Sequence, residues 1–292
     1  MKLYHASLFS NVFLKHYKLF PNIKINVLRS FGLLNHEMEL FCVKHRSKIG
    51  SIILDSGTWT LNNANSKQKH LINLKSYQNY VQNFFKHFDF YFNFDNNFTE
   101  EGSDSNYLNQ LELEGSGLKP VPVVHDIDGD EINHYVDKGY PIVALGSSQI
   151  KTKKKLGAVM EKFEGSNIKI HLFGNTRFDF ISEFPIYSCD SSGWAKSGVF
   201  GRLLYWNPHK KAENKTDTIV LEDYLKVEYK NRNYFSTYSF RADLEAYWDT
   251  VFGLNYYDFF SPEGYYNRHL VNLHYFVELE KYINQIHQNK RF

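Results

Sequence analysis

The feature that most constrains this chain is a repeated alternation. Short apolar runs end on a polar residue or a glycine, and stretches with helical spacing lie between them. The runs IILDSG at 52–57, FYFNFD at 90–95, VPVVHD at 121–126, IVALGS at 142–147, KIHLFG at 169–174 and IYSCDS at 186–191 all follow this pattern. Repeated strand–helix units build a parallel sheet, because each crossover helix returns the chain to the same end before the next strand begins.

Strands are expected near Leu3–Ala6, Ile25–Leu28, Ser51–Leu54, Phe88–Phe94, Val121–Val124, Ile142–Leu145, Ile168–Phe173, Ile186–Cys189 and Val199–Trp206. That is one more than an eight-stranded barrel uses, so one of the first two is expected to be a leader or hairpin. Lys75–His87 places Tyr77, Tyr80, Val81 and Phe84 at helical spacing. Asp104–Leu118, Asp130–Lys138 (stopped by Gly139), Lys155–Phe163, Phe240–Leu254 and Gly264–Gln288 read as further helices, and Asn207–Asp217 as a polar loop. The expectation is an α/β chain: a TIM (β/α)8 barrel with additional C-terminal helices, in one domain spanning 1–292 with its core at about 1–206 and the rest as closure. No internal repeat or Pro/Gly-rich linker marks a domain boundary.

Cys42 and Cys189 lie far apart and belong to no CxxC pair, which suggests neither a disulfide framework nor a structural zinc site and fits a reducing, cytoplasmic setting. Lys2, His5, Lys15, His16 and Lys18 interrupt the first apolar residues, so no signal peptide is expected, and no stretch is long enough to span a membrane. A net charge of +2 makes any polyanion contact a matter of local patches. The 25 Phe and 21 Tyr are read as the usage of an AT-rich genome before they are read as base-stacking surface.

In a TIM barrel the active site is built at the C-terminal ends of the strands. Here those ends carry Asp55, Asp95, His125 with Asp126, Gly146, Gly174 and Asp190. Any one of these carboxylates has an ordinary reading as a helix N-cap. Several at one mouth repel and separate one another's pKa values, which is costly unless chemistry requires it. Two carboxylates with separate roles, about 5 Å apart, suit retaining glycosidic chemistry. Gly57, Gly146 and Gly174 add backbone N–H groups that can hold a planar polar ligand, although glycines after strands are often simple turn residues.

At these strand ends the chain resembles the tRNA-guanine transglycosylases and their DNA-modifying relatives, the DpdA-type DNA-guanine transglycosylases of phages and bacteria. LDSGTW at 54–59 resembles the family's DSGGFQ strand end and implies Asp55 as the proton-transferring residue, with Ser56 and Gly57 in the base pocket. FNFDNN implies Asp95 as reader of the base's Watson–Crick edge, and VALGSS implies base contacts from Gly146 and Ser147. HLFGNT resembles the LMGVGTP turn and points to Gly174, and YSCDSSGW falls where the family has its nucleophile, which implies Asp190. His125 is carried as a further substrate contact. The likeness covers roughly Ser51–Trp206.

There are departures. The family's C-terminal CxCxxC-plus-His zinc site has no counterpart, Thr58 and Trp59-Thr60 replace Gly and Phe-Gln, and Ser147-Ser148 stand where a base-reading glutamate is expected. The implied reaction exchanges guanine for a free 7-deazaguanine base (preQ0-type) through a covalent aspartyl intermediate, without cofactor or metal. DNA is favoured over tRNA because the zinc-supported subdomain is missing and the composition looks phage-like, which would place the protein in a host cytoplasm.

Lys151, Lys153, Lys154 and Lys155 follow the Gly146 loop and are the candidate nucleic-acid contacts; a charge run is otherwise a solvated face. Lys44, His45, Arg46 and Lys48, and His209 to Lys211, are weaker candidates. His125 and His171 lack the HxH spacing of a barrel metal site and are read as satisfied by neighbours. The alternatives are a tRNA-guanine transglycosylase, a barrel glycoside or nucleoside hydrolase using the same carboxylates, or a non-catalytic nucleic-acid-binding barrel.

Overall fold

A computed structural model describes residues 1–33, 43–63, 72–146, 148–210, 215–222 and 232–290. The fold is α/β. Strands β1 (Lys2–His5), β2 (Ile25–Ser30), β3 (Ile49–Asp55), β4 (Phe90–Tyr91), β5 (Val123–Val124), β6 (Ile142–Leu145), β7 (Lys169–Leu172) and β8 (Ser188–Ser191) form one sheet in the order β4-β3-β2-β1-β8-β7-β6-β5. Every pair of known register in this sheet is parallel, as in Tyr4 opposite Asn26, Ile53 opposite Phe90 and Val143 opposite Ile170. Between the two end strands, Phe92 and Val121 form a parallel bridge: Val121 N–H donates to Tyr91 O at 2.8 Å, and Asn93 N–H to Val121 O at 2.9 Å.

The connections are helical: α1 (Ser10–Leu19), α2 (Thr58–Asn63), α3 (Leu74–Phe84), α4 (Ser103–Gly115), α5 (Glu131–Asp137), α6 (Lys153–Glu161) and α7 (Phe178–Ile181), of which α3 to α6 are the ones the apolar spacing predicts. Helix α3 shows why the local sequence suffices. Asn73 and Ser76 exchange side-chain and backbone bonds in a capping box, and Tyr77 and Val81, four apart, bury one face.

Two compact units divide the chain. The first, Met1–Ala6 and Asn26–Asp190, packs Tyr4, Leu28, Ile53, Phe92, Val121, Val123 and Ala144 into one cluster drawn from six strand segments. Full burial of side chains of this kind contributes about 1.5–3 kcal/mol each.

The second unit, Ser7–Ile25 and the chain from Ser191 onward, holds α1, α8 (Gly193–Val199), α9 (Arg241–Phe252) and α10 (Gly264–Lys290). Its small sheet contains β9 (Arg202–Trp206), β10 (Thr216–Val220) and β11 (Asn233–Tyr234) in the order β11-β10-β9. Asn272 on α10 ties the unit together: its amide donates to Trp194 O and Arg202 O, and its oxygen accepts Leu204 N–H.

Two expectations change. Both of the first two apolar runs enter the eight-stranded sheet, so neither is a leader. The surplus run is the last one: β9 pairs antiparallel with β10 outside that sheet. Its residues alternate in burial, with Leu203 and Tyr205 inward, whereas β2 is buried at five consecutive positions. Alternation is the mark of a strand with one face packed, and continuous burial that of a parallel strand covered on both faces. The expected loop 207–217 likewise ends in strand, with Thr216 and Asp217 opening β10. Among the described residues no helix is long and apolar enough to cross a membrane.

Candidate functional site

The strand ends of the first unit bring carboxylates and histidines together. Asp55 is the last residue of β3, and its carboxylate accepts Gly57 N–H at 3.2 Å and a hydroxyl from Ser30, the last residue of β2. Burial first, then the charges of Asp95 and Asp190, push its pKa up to about 7 against the pull of those two hydrogen bonds. Near neutral pH this carboxyl is therefore poised between its acid and base forms.

Asp95 follows β4 and is only 6% exposed. Its Oδ1 accepts the hydroxyls of Ser56 at 3.1 Å and Thr58 at 3.0 Å, and its Oδ2 lies 2.8 Å from His125 Nε2. The His125 ring stacks on Phe98 with centroids 5.0 Å apart and planes 24° apart. Glu131 Oε2 accepts the backbone N–H of both His125 and Asp126 at 2.8 Å and so anchors the β5 end. Burial raises the Glu131 pKa, although those two N–H bonds oppose it.

Asp190 lies within β8 and is 7% exposed. Oδ1 accepts Gly174 N–H at 2.8 Å, and His171 Nε2 lies 3.5 Å from the same oxygen. The other nitrogen of His171 meets Ser188 Oγ at 2.9 Å, and Phe92 and Phe173 wall the ring. No described residue bonds Asp190 Oδ2, so the carboxylate is anchored through one oxygen alone.

The glycines serve differently from expectation. Each of the three amides already has a protein acceptor: Gly57 N–H bonds Asp55, Gly174 N–H bonds Asp190, and Gly146 N–H bonds Val124 O at 2.9 Å in the sheet ladder. They aim carboxylates and complete the sheet ladder; they do not present free N–H groups to a ligand. Gly57 adopts φ +83°, and a Cβ there would fall 2.2 Å from Gly32 N, so only glycine lets these two loops meet. At Gly146 a Cβ would lie 2.7 Å from His125 Cε1, so the missing side chain makes room for that ring. Ser147 lies outside the described residues.

Of the candidate cations, Lys153 pairs with Glu183 at 3.4 Å and Lys155 with Asp128, both at the surface. Lys151 and Lys154 are exposed and make no ion pair among the described residues. Asp126 takes the ordinary role of a turn former, its Oδ1 accepting Gly129 N–H at 2.8 Å. Arg46 is occupied by Asp89, and His209 by Asp243.

Sequence reasoning missed Ser30, Phe98 and Glu131, named Thr58 only as a departure from the motif, and gave His171 no part in the site. A hydroxyl after an apolar strand is too common a pattern to single out Ser30. The DSGT run does place Thr58 beside Asp55, and β7 alternation does put His171 on the same face as Phe173, so those two were readable. Among the described residues no three His, Cys, Asp or Glu side chains are grouped to hold a metal.

No protein-family model matches this chain. No curated protein matches it in sequence either. What the site can do follows from its own geometry: one carboxyl able to exchange a proton near neutral pH, one carboxylate anchored through a single oxygen, and a third coupled to an imidazole.

Proposed function

We propose that this protein is a nucleic-acid guanine transglycosylase that exchanges guanine for a 7-deazaguanine base, acting on DNA. The observation that carries the reading is the pairing of Asp190, held by one oxygen, with Asp55, brought to about 7 by burial and by Asp95 and Asp190. The strand-end motifs resemble that superfamily in order, and the Phe92–Val121 bridge supports closure of the sheet into a TIM-type barrel with this site at its mouth.

In the proposed mechanism Asp190 Oδ2 attacks C1′ of the target nucleotide. The C1′–N9 bond breaks, and the departing guanine takes its electron pair together with a proton from Asp55. The incoming 7-deazaguanine then gives its ring proton to Asp55 and attacks C1′, which releases Asp190. A pKa about 7 suits a group that must give a proton in one half-reaction and take one in the next. The target nucleotide has to leave the stack to reach so recessed a carboxylate. Lys151 and Lys154 are available for flanking phosphates, and Lys153 and Lys155 become so when phosphate displaces their exposed acids.

The test is incorporation of labelled guanine into duplex DNA, single-stranded DNA and tRNA by the wild-type protein and by Asp190→Ala. Exchange by the wild type alone, with a covalent DNA adduct at Asp190 trapped by an inhibitory base, supports the reading. Absence of wild-type exchange on all three substrates defeats it. Abasic sites formed without base exchange would make the protein a hydrolase instead.

A further inference from the structure

The transglycosylase mechanism leaves one buried group unexplained, the imidazole between Asp95 and Gly146. We infer that Asp95 locks His125 in its Nε2–H tautomer, making His125 Nδ1 a fixed hydrogen-bond acceptor that selects a base bearing an N–H on its Watson–Crick edge. The identity of the ligand as a base rests on the transglycosylase reading; the polarity of the acceptor does not.

Valence fixes which ring nitrogen faces Asp95 with a proton. An ionised carboxylate only accepts hydrogen bonds. Asp95 Oδ1 already takes two hydroxyl protons, and Oδ2 takes the bond from His125 at 2.8 Å. A ring proton therefore sits on Nε2, and in the neutral imidazole that leaves the lone pair at Nδ1. His125 is 4% exposed, and its Nδ1 is buried with no hydrogen-bond donor among the described residues.

The ring cannot turn to find one. Phe98 stacks on one face, Glu131 pins its backbone N–H, and the Cε1–Nδ1 edge lies against Gly146 so closely that a Cβ there would be 3.2 Å from Nδ1. A buried acceptor of fixed direction is satisfied by a ligand N–H, and it opposes a ligand that offers only a lone pair there. Guanine and 7-deazaguanines carry such N–H groups on their pairing edge; the same bases methylated at those nitrogens do not.

Two measurements on the full chain test this. Histidine nitrogen NMR of the wild type at neutral pH is expected to show His125 as the Nε2–H tautomer, with the Nδ1–H form appearing in Asp95→Ala. Titration with free guanine, 1-methylguanine and N2,N2-dimethylguanine is expected to show at least about tenfold weaker binding of one methylated base, a preference lost in His125→Phe. A merely structural histidine bonded to Asp95 gives the same tautomer but no base preference, so the titration separates the two roles.

An Nδ1–H ring or an imidazolium in the wild type overturns the inference, as does equal or absent binding of all three bases. The wild-type spectrum and titrations decide the matter even if a variant does not fold. Exchange without base preference sinks this inference and leaves the transglycosylase reading standing. Preference without exchange does the reverse.

Discussion

Two buried carboxylates, one in each unit, meet opposite fates. Asp217, on β10 and 4% exposed, is surrounded by donors: Lys210 Nζ and Asn233 Nδ2 at Oδ1, with Asn207 Nδ2 at 2.8 Å and Tyr238 OH at 2.7 Å on Oδ2. Burial alone would raise its pKa, but the bonds from Lys210, Tyr238 and Asn207 outweigh it and hold the carboxyl below its usual range. Asp55 receives one amide and one hydroxyl and faces two further carboxylates, so its pKa rises to about 7. Burial does not decide what an acid is for. A carboxylate ringed by donors is a strut, whereas one crowded by its own kind holds a proton that chemistry can use.

The largest effect is expected at Asp55. Asp55→Asn is expected to slow guanine exchange by about 10²–10⁴-fold, the usual worth of a positioned acid–base group, and to remove a rate maximum near pH 7. The same change should stabilise the protein. A carboxyl whose folded pKa lies above its unfolded value of about 3.9 binds more protons when folded, so stability declines as pH rises from about 4 to about 7 and stays reduced above that. Thermal melts at pH 8 should show Asp55→Asn more stable than wild type, by up to about 4 kcal/mol. Equal melting at pH 8 would show that Asp55 carries no such strain.

Asp217→Ala should act in the opposite sense, destabilising by roughly 2–3 kcal/mol in denaturant titrations, less than a fully buried pair because Lys210 stays partly exposed. Its contribution is present above the usual carboxylate range and is lost as pH falls through the depressed pKa, so wild type and variant should converge in acid. Asp95→Asn sharpens the contrast further. Removing one like charge should move the Asp55 titration, followed by carboxyl carbon NMR, down toward the ordinary range. The smallest effect is expected at the surface. Lys153→Ala should change stability by less than about 0.5 kcal/mol, yet lower the salt slope of DNA binding by about one if that rim meets phosphates.

Much of the fold was legible before the structure. Local signals sufficed for the helices: the Asn73 cap with Tyr77 and Val81 behind it, and Gly139 after Asp137. The strands of the large sheet were legible as apolar runs, but their membership was not. Arg202–Trp206 pairs antiparallel with Thr216–Val220, a stretch read from sequence as loop at its start, and the alternating burial that marks the difference is seen only in the structure. The three aspartates were legible as strand-end carboxylates. Their partners were not: Ser30 to Asp55, His125 to Asp95 and Gly174 to Asp190 span long stretches of sequence.

By itself, the sequence determined the alternation of strands and helices, and with it the placing of Asp55, Asp95 and Asp190 after apolar runs, because backbone geometry and hydrophobic spacing are local properties. Tertiary structure alone decided that Asp55 holds its proton near neutrality while Asp217 gives its own up, and that the amides of Gly146 and Gly174 face protein acceptors. Electrostatic and hydrogen-bond energies depend on distances of a few ångströms between groups that the chain brings together only when it folds.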